Sequence, residues 1–115
     1  MATDQSIETR IYFRDVKPYH APDRLEDLHG PPGGVVELSH SVLWAPGGGR
    51  VNLDEPGGTN LAYQAVLAEG TVDDQVQVLN RDRLVAAWPA LMLPRRVREL
   101  WEGRFPELRR AAAPA

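Results

Sequence analysis

Apolar and polar side chains alternate in the first half of the chain, a period of two that is typical of half-buried strands. Two runs carry the pattern, residues 7–13 and residues 35–44, and residues 51–53 resume it after a glycine-rich loop. The apolar face of the second run is formed by Val36, Leu38, His40, Val42 and Trp44. The pattern predicts an N-terminal strand, then a hairpin with a long tip at residues 45–50.

Helix signals begin at residue 59. Thr59 is expected to cap a helix over residues 60–69, because its side-chain oxygen can accept from a free N–H of the first turn, and Gly70 is expected to end it. This helix has two apolar stripes, one of Leu61, Ala65 and Ala68 and the other of Tyr63, Val66 and Leu67. A helix that is apolar almost all round should be deeply buried.

A second helix is predicted directly after Thr71, its expected N-cap. Asp73 and Asp74 lie in its first turn, where the helix dipole favours anions. Its inward side chains would be Val72, Val76 and Leu79. Residues 75–78 also alternate as a strand would, but the capping residues favour a helix. A single helical turn is expected earlier in the chain, over residues 22–28.

Prolines divide the stretch from residue 80 to residue 108 into two further short helices, because each disfavours helix in the residue before it. Asn80 is the expected N-cap of the first helix. Pro94 suits the first position of the second helix, where its missing N–H is not needed. The apolar stripe of that second helix consists of Val97, Leu100, Trp101 and Phe105.

Together these elements predict an α+β fold. A small antiparallel sheet from the N-terminal half packs against four short helices from the C-terminal half. At 115 residues the chain is expected to form one domain over residues 1–115. Residues 1–6 show no periodicity, and residues 111–115 are of low complexity. Residues 1–6 and 109–115 are predicted to be disordered tails.

Composition narrows the classes of protein. The chain contains no cysteine, which excludes disulfide frameworks, thiolate zinc sites and cysteine nucleophiles. It shows neither a secretory leader nor a run of the ~18–20 apolar residues that a membrane span needs. We therefore expect a cytoplasmic protein that does not contact a membrane.

Charge is divided between the two parts of the sequence. Residues 1–80 carry five basic and twelve acidic side chains, a net of −7, whereas residues 81–115 carry eight arginines and four acids, a net of +4. The simpler explanation is the codon bias of a GC-rich genome. The functional explanation is a surface for an acidic partner or nucleic acid, since arginine makes planar, bidentate contacts.

Aromatic residues and arginines are enriched at binding hot spots, which selects the candidate partner contacts. These are Arg95, Arg96, Arg98, Trp88, Trp101, Tyr63 and His40. The tryptophans fit a packed core as well as a surface. Homo-oligomerisation is left open by the sequence.

Candidate catalytic chemistry is sparse. His20, His29 and His40 lack the spacing of a local metal site, which leaves only a site assembled from distant parts of the chain. No metal or other cofactor is predicted. His40 lies on the predicted apolar strand face, while Ser39 and Ser41 point to the opposite face, which disfavours Ser-His catalysis within the tripeptide. We therefore predict a hydrogen-bonded core or interface histidine and no catalytic residue.

The glycines before Thr59 invite comparison with a phosphate-binding loop, since free N–H groups at a helix start can bind an anion. No lysine occupies the position that a P-loop requires. An ordinary loop and helix cap is the better interpretation.

The C-terminal framework resembles a family of small uncharacterised actinobacterial proteins, some encoded beside nucleotidyltransferase-type toxin genes. The resemblance covers roughly the last half of the chain and contains no catalytic motif. It rests on Leu79, Asn80, Leu84, Trp88, Pro89, Leu91, Leu93, Pro94, Arg98, Trp101, Glu102, Phe105, Pro106 and Leu108. It implies an accessory or neutralising partner in a toxin–antitoxin-type pair.

The predicted function is therefore that of a non-catalytic regulatory or protein-interaction protein, with the product of a neighbouring gene as partner. One alternative is a DNA-binding transcriptional regulator that uses the arginines of the C-terminal helices as phosphate contacts. Glu99 and Glu102 on the same helix argue against that alternative. The other alternative is a small enzyme that uses His40 with a distant carboxylate.

Overall fold

The computed structural model describes residues 19–43 and 49–113. The predicted strand at residues 7–13, the predicted tail at residues 1–6 and Trp44 lie outside these residues. The described elements are a 3₁₀ turn at Leu25–Asp27, strands β1 (Val35–Glu37) and β2 (Arg50–Asn52), helices α1 (Gly58–Glu69), α2 (Val72–Val78) and α3 (Arg81–Ala87), a 3₁₀ turn at Trp88–Ala90, and helices α4 (Arg95–Arg104) and α5 (Pro106–Ala112).

The fold is α+β, as predicted, with an antiparallel pair of strands preceding the helical part. Buried apolar side chains from both strands and from each of the five α-helices of the described residues form one cluster. Burial of this shared cluster is the main stabilising contribution, because apolar surface removed from water contributes about 25 cal/mol per Å². Within the described residues, every helix is too short or too polar to span a bilayer.

The hairpin is shorter than the alternation predicts. Val36 pairs with Val51, and both side chains are buried. β1 ends at Glu37, and the chain then turns because the N–H groups of Val42 and Leu43 donate to the carbonyl of Ser39 at 3.0 and 2.9 Å. The prediction of a strand over residues 35–44 is therefore wrong for residues 38–43.

Helix α1 begins at Gly58, one residue before Thr59, which was the predicted N-cap. Gly57, with a φ of 78°, is the N-cap, a left-handed conformation that glycine adopts without steric cost. The Thr59 hydroxyl instead donates to the carbonyl of Leu53 at 2.9 Å and ties α1 to the end of the hairpin. The helix therefore starts through backbone geometry, and the threonine side chain acts as a tertiary contact.

Only one of the two predicted α1 stripes is fully buried. Tyr63, Val66 and Leu67 are at most 1% exposed. Leu61, in the other stripe, is 48% exposed, so the helix is not enclosed on all sides.

Helix α2 confirms its predicted cap and settles residues 75–78 as helix. The Thr71 hydroxyl accepts from the Asp74 N–H at 3.2 Å, and the Asp74 carboxylate accepts from the Thr71 N–H at 2.9 Å, a complete capping box. Its inward face differs from the prediction, because Val72 is 38% exposed while Gln75 is fully buried. The Gln75 Nε2 donates to the carbonyl of His20 at 2.9 Å, which ties α2 to the segment before the first 3₁₀ turn.

Replacing Thr71 by alanine should lower the free energy of unfolding by about 1 kcal/mol, since the N–H of Asp74 loses its acceptor. Thr71→Ser keeps the hydroxyl and should stay within about 0.5 kcal/mol of the wild type. Urea unfolding followed by tryptophan fluorescence measures both changes. Equal losses in the two variants would show that the methyl group, not the cap, accounts for the effect.

The C-terminal third confirms Asn80 as a cap, with its Oδ1 accepting from the Arg83 N–H at 3.0 Å. Pro94 is the N-cap of α4, whereas the prediction made it the first residue of the helix. Residues 109–112, predicted to lie in a disordered tail, belong to α5. Pro106 suits the start of that helix, and Leu108 is completely buried, which holds it against the core.

Candidate functional site

Three of the predicted contact residues lie in the core. Trp88, Trp101 and Tyr63 are each 0% exposed, so none is available to a partner at the surface. The Trp88 and Trp101 ring centroids are 6.4 Å apart, and Phe105 lies 5.4 Å from Trp101 in a tilted arrangement. Aromatic pairs in such geometry contribute about 0.5–1.5 kcal/mol beyond their buried area. These residues therefore stabilise the helical part.

Tyr63 is the buried end of a link between α1 and α3. Its hydroxyl oxygen accepts from the Asn80 N–H at 3.0 Å. Burial raises the pKa of Tyr63 above its ordinary value, although the Asn80 hydrogen bond and the charge of Arg83 act in the opposite direction. The tyrosine therefore stays neutral and serves as an acceptor for the N-cap residue.

Arg98 is used by the fold. Its guanidinium donates to the carbonyls of Trp88, at 3.1 Å, and Leu91, and it lies 5.1 Å from the centroid of the Trp88 ring. Glu102 completes the arrangement by accepting from Arg98 at 3.3 Å and from the Trp88 indole at 2.8 Å. Arg98 thus fixes the turn between Trp88 and Leu91 against α4, and its donors are directed inward.

Arg95 and Arg96 form the exposed start of α4. With Tyr19, Pro94 and Glu99 they line an open hollow of about 540 Å³, and we call these five residues the Arg95–Arg96 face. Arg95 Nε lies 3.6 Å from Glu99 Oε2, but the two side chains are 89% and 61% exposed. An ion pair so exposed contributes at most about 1 kcal/mol.

The first turn of α4 contains arginines and no acidic residue. Cations near a helix N-terminus are disfavoured by about 0.3–1 kcal/mol each, because the partial charge of the helix end is also positive. The first turns of α2, α3 and α5 each contain an acidic residue instead. The Arg95–Arg96 face therefore carries two exposed arginines at a helix end where their charge does not stabilise the helix.

His40 lies in a turn and is exposed, so its predicted position on a buried strand face is wrong. The cause is the turn after β1, which directs the side chain to solvent while Leu38 and Val42 stay buried. The flanking hydroxyls of Ser39 and Ser41 bond to each other at 2.9 Å. A catalytic role for His40, the alternative drawn from the sequence, stays a hypothesis.

The other two histidines are also exposed. His29 Nδ1 lies 3.1 Å from the carbonyl of Asp27. Among residues 19–43 and 49–113, three or more metal-ligating side chains do not come together at any point.

A second hollow, of about 640 Å³, lies beside the starts of α1 and α3. Arg83 projects into its wall, where Nε donates to Thr59 Oγ1 at 3.2 Å and Nη1 donates to the carbonyl of Pro32. Sequence analysis did not select this site. The N-cap at Asn80 fixes the position of Arg83 in α3, but no local pattern shows that Pro32 and Thr59 lie beside it.

No protein-family profile, curated protein or solved structure matches this chain. The resemblance of the C-terminal half to toxin-associated actinobacterial proteins therefore stays a prediction.

Proposed function

We propose that this chain is a non-catalytic regulatory protein that binds another protein through the Arg95–Arg96 face. The expected partner is the product of a neighbouring gene, in an antitoxin-like or accessory role that the C-terminal resemblance supports. An acidic surface on the partner fits best, because arginine forms bidentate, charge-assisted hydrogen bonds with carboxylates.

The observation that carries the proposal is the different use of neighbouring arginines on one helix. Arg98 is 27% exposed and holds two backbone carbonyls and Glu102. Arg96 is exposed and makes no hydrogen bond or ion pair within the described residues, and Arg95 makes only the exposed pair with Glu99. Two cations are thus left for an external contact.

The same arrangement holds the backbone that carries these cations. Arg98 ties α4 to the turn at Trp88–Leu91, and Trp101 anchors the helix in the core. A surface held in one conformation loses less entropy on binding, which improves affinity without adding a contact. Arg95 and Arg96 therefore project from a part of the backbone that is held in place.

The experiment is affinity measurement with the purified product of the neighbouring gene. Arg95→Gln combined with Arg96→Gln should weaken binding at least 30-fold, because each lost charge-assisted hydrogen bond costs about 1.5–3 kcal/mol. Arg109→Gln with Arg110→Gln is the matched control. It removes the same charge from two exposed arginines of α5 and should change the dissociation constant less than threefold.

Equal weakening by the two double variants would show that only net charge matters and would count against a defined face. Circular dichroism establishes that both variants keep their helices. Mobility-shift assays at several salt concentrations test the DNA-binding alternative. Tight DNA binding with a steep loss of affinity as salt rises would favour that alternative, since phosphate contacts release counterions.

A further inference from the structure

The hollow at Arg83 is open to solvent and has the volume of a small-molecule site. Its volume of about 640 Å³ lies within the ~300–1,000 Å³ typical of ligand pockets. We call it the Arg83 cleft. It is lined by Pro32, Thr59, Asn60, Asn80, Asp82, Arg83, Ala86 and Ala87.

Arg83 is partly buried and lacks a counter-ion among the described residues. Its two side-chain acceptors, Thr59 Oγ1 and the Pro32 carbonyl, are both neutral. The comparable partly buried arginine, Arg98, is paired with Glu102. A partly buried cation with only neutral partners leaves its charge uncompensated, and an anion arriving beside it would form charge-assisted hydrogen bonds.

The two protein acceptors also orient the guanidinium. With Nε bonded to Thr59 and Nη1 bonded to Pro32, the donors of Nη2 have no acceptor among the described residues. A guanidinium held in one orientation is suited to a planar carboxylate, which it can meet without a further loss of side-chain entropy.

The rest of the lining combines apolar and polar surface. Ala86, Ala87 and Pro32 supply small apolar contacts, and the Asn60 amide makes no hydrogen bond within the described residues. Asp82 is the one acidic residue of the lining and would oppose an anion. Its side chain, however, is 94% exposed to water and lies 3.9 Å from Arg81, so its charge is screened.

We propose that the Arg83 cleft binds a small molecule that carries a carboxylate on an apolar body. The carboxylate pairs with the Arg83 guanidinium, and the apolar body packs against Ala86 and Ala87. This site is separate from the Arg95–Arg96 face, and it requires no particular partner protein.

Benzoate and its neutral isostere benzamide test the proposal on the full chain. In ¹H–¹⁵N spectra, benzoate should shift the Nε–H signal of Arg83 and the amides of Asn60 and Ala86 along one saturable curve. Benzamide should bind about tenfold more weakly, because a hydrogen bond to a charged group contributes roughly 1 to 1.5 kcal/mol more than one between neutral groups.

Two variants at Arg83 and one elsewhere complete the test. Arg83→Gln should abolish the saturable benzoate shifts. Arg83→Lys keeps the charge but loses the planar donors, and should weaken binding several-fold. Arg96→Gln removes an exposed arginine outside the cleft and should leave the benzoate affinity unchanged.

Equal affinities for benzoate and benzamide would overturn the proposal, since the ligand would then be held by apolar contact alone. So would benzoate shifts that spread over all the arginines in proportion to concentration, or an equal loss in Arg96→Gln. Should Arg83→Gln fail to fold, the benzoate and benzamide titrations of the wild type, with Arg83→Lys, still decide the question. Loss of partner binding by the Arg95 and Arg96 variants leaves this result unaffected.

Discussion

Replacing Gly30 by alanine is expected to lower the free energy of unfolding by about 3 kcal/mol or more, the upper range for overpacking. An added Cβ would lie 2.2 Å from both the carbonyl carbon and oxygen of Val78, and 2.7 Å from the nitrogen of Leu79. These are backbone atoms at the end of α2, so they cannot rotate away. The Gly30 N–H also donates to the Leu79 carbonyl at 2.8 Å, which prevents the two segments from separating without losing that bond.

Gly103 provides the matched control. It lies within α4 with no atom within 4 Å of an added Cβ, and its φ is not positive. Gly103→Ala should therefore raise stability by about 0.5–1 kcal/mol, the ordinary helix preference for alanine. Urea unfolding of both variants, followed by tryptophan fluorescence, measures the contrast. A Gly30→Ala protein as stable as the wild type would contradict the close packing of this segment on α2.

Trp101→Ala should cost about 3–5 kcal/mol, the range seen when a large aromatic side chain is removed from a core. Trp101 is completely buried and packs between Trp88 and Phe105. The loss combines missing apolar burial with a cavity that two neighbouring rings can only partly fill. Since native domains are stable by only about 5–15 kcal/mol, thermal unfolding should shift strongly or lose its cooperativity.

Replacing Trp88 and Trp101 one at a time by phenylalanine distinguishes the contribution of packing to stability from that of hydrogen bonding. The Trp101 Nε1 has no hydrogen-bond partner among the described residues, whereas the Trp88 Nε1 donates to Glu102 at 2.8 Å. Trp88→Phe should therefore destabilise more than Trp101→Phe, by about 1 kcal/mol. Met92→Ala, at a side chain that is 82% exposed, should change stability by less than about 0.5 kcal/mol. A reversed order of the two phenylalanine variants would contradict the hydrogen-bond assignment.

Features that depend on a few neighbouring residues were predictable from the sequence. The caps at Thr71 and Asn80 are confirmed, because each acceptor and its donor lie three residues apart. The burial of Val97 and Trp101 on one side of α4 follows from helical periodicity in the same way. Local chemistry thus determined the helical part and the fold class.

Features set by a tertiary contact, or by a turn that interrupts the alternation, were not predictable. Thr59 has the residue type of a cap, but the carbonyl of Leu53 takes its hydroxyl. His40 continues an alternation that the turn at Ser39 interrupts. In both cases a tertiary contact or a turn overrides a correct local preference.

The roles of the arginines in the candidate site also depend on tertiary contacts that the sequence does not reveal. Arg95, Arg96 and Arg98 are nearly adjacent, yet only Arg98 reaches carbonyls that lie seven and ten residues earlier in the chain. Arg83 gains its importance from Pro32 and Thr59, which are far from it in sequence. Side-chain type identified the arginines as a group, and only their tertiary contacts separate structural arginines from available ones.

The backbone carbonyls of residues 20–22 accept hydrogen bonds from side chains that lie far along the chain. The carbonyl of His20 is held by Gln75, and those of Ala21 and Pro22 are held by Arg104. During synthesis, Gln75 can bond to the His20 carbonyl as soon as α2 has left the ribosome. The carbonyls of Ala21 and Pro22 lie more than 80 residues before Arg104, so their hydrogen bonds form only after α4 has been translated.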